Sequence, residues 1–277
     1  MEGELQMKLK DVQNKSFELL CIIDDICKKE NIRYFLHAGT ELGAVREKDI
    51  IPWDDDVDIK VLLEDYPAFK EAMIKNLPAY IKIIEPCDLA PAFYDFMVRI
   101  LDTRYLLRKE TEEDKYYNNW QNHIGVDIFL QYRIPAARIP RMIAYSRLMF
   151  WYGLGMGHRY RLNYDKYPGF YKIVVILLSS IGKGIDINTI WKNYYNLITS
   201  YNKSQSNLAM RNSMKWDGMV CTDWMDQIIH GVLRGREFPI PAGYDAELTA
   251  YYGDYMNPPK DRNDFNQHLD EEDRYKD

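Results

Sequence analysis

Four aspartates crowd one short stretch of the chain, Trp53-Asp54-Asp55-Asp56-Val57-Asp58-Ile59-Lys60-Val61. In an extended strand side chains alternate, so Asp54, Asp56 and Asp58 share one face while Val57, Ile59 and Val61 enter the core. Carboxylates held within a few ångströms of one another repel, and a fold keeps them together only where a cation or solvent compensates. A hard divalent ion, Mg²⁺ or Mn²⁺, suits such an oxygen-only cluster, above all when substrate phosphates complete its shell. Two other readings compete. Asp54, Asp56, Asp58 and Asp65 fall at the first, third, fifth and twelfth places of an EF-hand loop, but the sixth place needs glycine and holds Ile59. A merely solvated acidic face is opposed by the apolar alternation directly behind the acids. Asp55, on the opposite face, is expected to be a structural hydrogen-bonder.

Upstream, the β-prone run Arg33 to His37 ends at Ala38-Gly39-Thr40, and a helix is expected to begin over Glu41 to Arg46. A Gly-Thr pair at a strand-to-helix junction lets backbone N–H groups approach a phosphate. Alone, such a glycine is most often only a turn. The acids follow about one supersecondary unit later, so both segments can meet on adjacent strands. Arg46 offers a bidentate phosphate clamp, with an ordinary salt bridge as the alternative.

The elements that must position these groups are read from periodicity. Val12, Leu19, Leu20, Ile23, Ile26 and Cys27 recur at helical spacing and open the chain with a long amphipathic helix. Helices are expected at Tyr66 to Asn76, Ile190 to Tyr201 and Tyr244 to Tyr252, and strands at Ala79 to Ile84, Phe93 to Leu101 and Ile124 to Leu130. Interleaved strands and helices give an α/β or α+β fold, a mixed sheet flanked by helices. From Tyr132 to Lys183 nine Lys or Arg face a single acid, Asp165, amid many aromatics, which marks an additional helical region. The expected partition is a catalytic core over 1–131, a basic aromatic helical insertion over 132–203, and a C-terminal part, 204–277, packing back on the core. Asp270 to Asp277 reads as a charged, frayed tail.

Composition narrows the partners. A formal charge of −6 over 277 residues excludes a general nucleic-acid binder but leaves small phosphorylated substrates open. Cys21, Cys27, Cys87 and Cys221 form no CxxC pair, so reduced thiols and a cytoplasmic setting are expected. The polar N-terminus argues against a signal peptide. The longest apolar run, Ile173 to Leu178, is far short of the roughly 20 residues a bilayer requires, so at most a peripheral contact, at the inner face of the membrane, is expected.

Two segments together, Gly39-Thr40-Glu41-Leu42-Gly43-Ala44-Val45-Arg46 and Ile51-Pro52-Trp53-Asp54-Asp55-Asp56-Val57-Asp58-Ile59, closely resemble the GTLLGAVR and IPWDDDIDI signature of the LicD family. Glu41 stands where leucine is usual. The likeness continues at Val98-Arg99-Ile100-Leu101-Asp102, at Ile124-Gly125-Val126-Asp127-Ile128-Phe129 with Leu130 in place of proline, and at Tyr251-Tyr252-Gly253-Asp254-Tyr255-Met256. It covers about Ile32 to Pro259, with nothing placed over 132–183.

The resemblance implies a nucleotidyltransferase fold with a two-metal site, whose parts fall here on Gly39 with Thr40, on Asp56 with Asp58, and on Asp127. It implies metal-dependent transfer of phosphocholine, or a related group such as ribitol phosphate, from a CDP-linked donor to a surface glycan or teichoic-acid-type acceptor, in some cases lipid-linked, with release of CMP. In that scheme Asp56, Asp58 and Asp127 are catalytic and hold Mg²⁺ or Mn²⁺, with Asp54 in support; Asp127 would also take the acceptor's proton. Gly39, Thr40, Gly43, Arg46 and Arg99 would bind the donor's phosphates, while Trp53 and His37 would line the pocket or pack in the core. A true nucleotidyltransferase and a noncatalytic glycan- or nucleotide-binding member of the fold are the alternatives. The basic middle region is expected to bind an anionic glycan or a membrane, or simply to cover an acidic protein.

Overall fold

The computed structural model describes residues 7–211 and 219–258; the charged tail from Asp270 lies outside them. Helix α1 (Leu9–Glu30) buries Val12, Leu19, Leu20, Ile23, Ile26 and Cys27 and stops where Asn31 turns left-handed at φ 54°. Strand β1 (Phe35–Leu36) leads into α2 (Ala38–Leu42), which continues as one π-helical turn, Gly43–Glu47. Next come β2 (Asp58–Leu62), α3 (Tyr66–Asn76), β3 (Ile81–Ile84), β4 (Val98–Leu106), α4 (Glu112–Tyr116) and β5 (His123–Arg133). Three helices follow, α5 (Arg138–Gly155), α6 (Phe170–Gly182) and α7 (Ile187–Asn202). The chain returns through β6 (Leu208–Arg211), β7 (Val220–Cys221), β8 (Ile228–Leu233), β9 (Arg236–Pro241) and α8 (Tyr244–Tyr252).

The main sheet has the order β1-β2-β5-β4-β3, with β6 extending the end of β5 and β7 beside it. Among the described residues β2 and β5 run parallel and the other pairs are antiparallel. β5 is buried from Ile124 to Tyr132, as expected of a central strand covered on both faces. α1 lies on one face of the sheet, and its apolar side joins Val57, Ile59 and Val61 in one core. β8 and β9 make a separate hairpin whose turn, Arg234-Gly235, has positive φ at both residues, the twist a two-residue loop needs.

The structure bears out an α/β mixed sheet flanked by helices, and it moves several boundaries. The acidic strand begins only at Asp58: Pro52 and Trp53 form a turn, and 54–57 precede the first sheet residue. The expected strand from Phe93 starts at Val98, because Phe93 and Phe96 leave the sheet to stack with Tyr152 and Tyr194. Gly39 and Thr40 lie inside a helix, not in the turn before one.

Candidate functional site

A cleft of about 510 Å³ opens over the start of β2. Its inner wall carries Gly39, Arg46, Trp53, Asp54, Asp56 and Asp58, and its outer wall carries Tyr252, Asp254, Tyr255 and Asn257 from the segment that ends α8. Asp54 and Asp56 therefore share a cavity with Asp58 although neither is in the strand, so the convergence inferred from alternation comes instead from how the preceding turn folds back.

Asp58 is clamped by its backbone. Its amide donates to the Thr40 hydroxyl at 2.8 Å, and its carbonyl accepts from the His37 amide at 3.0 Å. In the parallel pair β2–β5 it lies in register with Asp127, whose amide donates to the Val57 carbonyl at 2.9 Å. Asp54 is positioned from below. The Gln13 side-chain amide on α1 donates to the carbonyls of Asp54 at 2.8 Å and Ile51 at 3.2 Å, fixing the turn. Gly39 explains the rest, since a Cβ there would come within 2.5 Å of the Asp54 carboxylate. At this residue the missing side chain makes room for an acid.

The acids do not tolerate one another easily. Burial and the neighbouring Asp56 push the Asp54 carboxyl well above its ordinary value. Burial, then Asp56 and Asp127, do the same to Asp58, with the Arg211 and Arg99 charges opposing less strongly. Mutual repulsion among buried carboxylates is what a bound cation would relieve. An oxygen-only donor set at the mouth of a cleft fits Mg²⁺ or Mn²⁺, which prefer to keep positions for water or phosphate.

Other expected residues fall differently. Arg99 is buried and faces Asp127, forming an ion pair with it while donating to the Trp120 carbonyl at 2.6 Å; it is not among the cleft's lining residues. Arg46 lines the cleft but donates to Glu47 at 2.6 Å and to the Tyr255 carbonyl at 2.8 Å, so it ties the outer wall to the inner one. Gly43 is pressed against the loop at Asp49, whose carbonyl a Cβ would meet at 2.6 Å, and does not line the cleft. Trp53 does line it. His37 does not: it is fully buried between Phe129, Tyr251 and the Arg211 guanidinium, which donates to its Nε2 at 2.7 Å. A guanidinium can only donate, so the ring proton sits on Nδ1, facing Glu247 at 3.6 Å. Burial, together with the Arg211 and Lys60 charges, lowers His37 to about 3 and keeps it neutral.

His37, Glu41 and Glu247 come close enough to enclose an ion. The ammonium of Lys60 already occupies their midst, 3.3 Å from Glu41 and hydrogen-bonded to Glu247. That cluster is a closed structural network, with its cation supplied by the chain.

Sequence reading missed Gln13, which looks like any polar residue on a helix. The Tyr251-Tyr252-Gly253-Asp254-Tyr255-Met256 likeness was the signal available for the outer wall.

Comparison with known proteins agrees with this architecture. Residues 31–147 match the family described as LicD/FKTN/FKRP, nucleotidyltransferase domain. The lipopolysaccharide cholinephosphotransferase LicD of Haemophilus influenzae is 24% identical across 96% of this chain and 98% of its own length. Ribitol 5-phosphate transferase FKRP, from mouse and from human, is 50% identical over 40 residues, 14% of this chain and 8% of the relative.

Proposed function

From a chain that carries a LicD/FKTN/FKRP nucleotidyltransferase domain, we propose a metal-dependent phosphotransferase that moves phosphocholine or a related phospho-substituent from a CDP-linked donor to a glycan acceptor, releasing CMP. The observation that carries this reading is the convergence of Asp54, Asp56 and Asp58 on one cleft, where burial and the neighbouring acids together push the Asp54 and Asp58 carboxyls upward. Support for the transferred group comes from the relatives, one a lipopolysaccharide cholinephosphotransferase and one a ribitol 5-phosphate transferase.

In this reading Asp56 and Asp58 hold Mg²⁺ or Mn²⁺, with Asp54 beside them and Asp127 completing the acid group from β5. The bound metal would neutralise charge on the donor's diphosphate as the bond to CMP breaks. Thr40 and His37 set the height of Asp58 through their hydrogen bonds to its backbone. Arg99 fixes the carboxylate of Asp127; an arginine-paired carboxylate is a poor proton acceptor, which suits Asp127 to electrostatic work more than to the base role. Trp53 and Tyr252 offer rings at the cleft wall against which a head group or base can rest.

The test is a screen of CDP-choline, CDP-ribitol and CDP-glycerol, with and without Mg²⁺ or Mn²⁺, for CMP release. Metal-dependent CMP from one donor, lost in Asp58→Asn, is the expected result. Pyrophosphate release from a nucleoside triphosphate would replace this reading with a true nucleotidyltransferase. Metal-dependent donor binding without turnover would replace it with a binding protein.

A further inference from the structure

The segment 132–183, which carries none of the signature motifs although the family match reaches residue 147, has the most distinctive surface. Helix α5 leaves Ile139, Met142, Ile143 and Phe150 exposed, a stripe at helical spacing, with Ile139 71% accessible. Helix α6 does the same with Phe170, Ile173, Leu177 and Ile181, and Phe170 is 74% accessible. The two helices pack on each other. Gly153 lies against Leu178, and Gly182 meets the backbone of Leu154 so closely that a Cβ would not fit. α5 also buries Ala144 and Leu148. Their inner sides are therefore already used, and the stripes remain outside. Contiguous exposed apolar surface of this kind marks an interaction site.

Charge identifies the partner. Residues 132–183 hold nine Lys or Arg against one acid, whereas the rest of the chain holds 27 against 41. The single acid, Asp165, is paired with Lys172. Arg138, Arg147, Arg161, Lys166 and Lys183 are exposed along the same helices and their connections. An apolar stripe bordered by cations, on an otherwise acidic protein, is complementary to an anionic lipid surface, which accepts apolar side chains and attracts the bordering charges. α6 alone is too short to span: it has 13 residues, about 20 Å at roughly 1.5 Å each against a hydrocarbon core of about 30 Å, and α7, which would extend it at a bend of 117°, buries Ile190, Trp191, Tyr194 and Ile198 against the protein. Among the described residues no single helix is long and apolar enough to cross.

We propose that α5 and α6 form an interfacial anchor that lays this face of the protein on an anionic bilayer. The inference does not depend on which group the cleft transfers.

Co-sedimentation with vesicles tests it, using phosphatidylcholine alone and phosphatidylcholine with roughly one third phosphatidylglycerol. The full chain is expected to partition onto the anionic vesicles and little onto the neutral ones. Ile173→Asp with Leu177→Asp should weaken partition by at least roughly 10-fold, and Arg138→Glu, Arg147→Glu and Lys183→Glu together by roughly 100-fold. Ile74→Asp, at a side chain 64% accessible on α3, should leave partition unchanged and controls for surface charge alone. Failure of the full chain to bind anionic vesicles overturns the proposal. So does binding that survives the apolar substitutions, or a self-association that Ile173→Asp abolishes while vesicle binding is untouched. Circular dichroism and donor turnover report folding and the cleft separately, so a lost anchor is distinguishable from a lost transferase.

Discussion

Asp58 and Lys60 sit two residues apart on the same face of β2, and each belongs to a group of buried acids. Around Lys60 the charges are closed: Glu247 and Glu41 approach its ammonium, and His37 bridges Glu247 to Arg211. Burial alone would raise Glu247, yet Lys60 and His37 pull it down to about 2. Glu41, farther from the ammonium at 3.3 Å, is raised, burial outweighing the pull of Lys60. Around Asp58 the neighbours are Asp56 and Asp127, and the carboxyl is driven upward. The fold thus seats a cation in the midst of one cluster, whereas in the other Arg99 pairs with Asp127 and the Asp58 carboxyl is still driven upward. A structural network and the proposed metal site differ here in where the positive charge would come from.

Substitutions on the two sides should break this contrast in opposite ways. Asp58→Asn should reduce CMP release by about 10⁴-fold, roughly 5.5 kcal/mol, as expected when a metal's charge stabilisation is lost; a loss of less than tenfold would remove Asp58 from the site. The same change should leave the fold intact. Lys60→Met should destabilise by about 3 to 5 kcal/mol in urea unfolding, because it leaves buried acids without their cation, whereas unchanged stability would mean that the network is incidental. Gly39→Ala should lower metal affinity roughly 10- to 100-fold through displacement of Asp54, with little loss of stability; calorimetric titration with Mn²⁺ checks it. Thr40→Val removes the acceptor for the Asp58 amide and should cost about 1 to 2 kcal/mol of stability. The accompanying loss of rate should be smaller than that of Gly39→Ala, because the carboxylate itself stays in place.

Much of the cleft was legible because local pattern and chemistry coincide there. Aspartates backed by Val57, Ile59 and Val61 announce both a core strand and a charge that needs a partner, and both features are present. Pattern could not tell that the strand begins at Asp58, since the turn at Pro52 and Trp53 is fixed by Gln13, forty residues away in sequence and unremarkable in type. Nor does residue type distinguish a histidine in a pocket from one locked between Arg211 and Glu247. Arg99 was assigned to phosphate because arginine suits phosphate; its partner, Asp127, is the residue paired across β4 and β5, a register that only the assembled sheet provides. The outer wall arrives from α8, whose relation to β2 is a tertiary fact.

The central claim is that the cleft's acids are held in readiness for a cation, and thermal unfolding of the wild type and Asp58→Asn across pH, with and without Mn²⁺, tests it most directly. Carboxyls whose folded values are raised contribute stability that is full below the ordinary value of 3.8 and lost as pH rises through the folded values. Metal-free wild type should therefore fall progressively below Asp58→Asn in Tm as pH rises above the ordinary carboxyl value of 3.8, and Mn²⁺ should restore the wild type alone. A difference that does not change with pH, or an equal response of both proteins to Mn²⁺, would contradict the account.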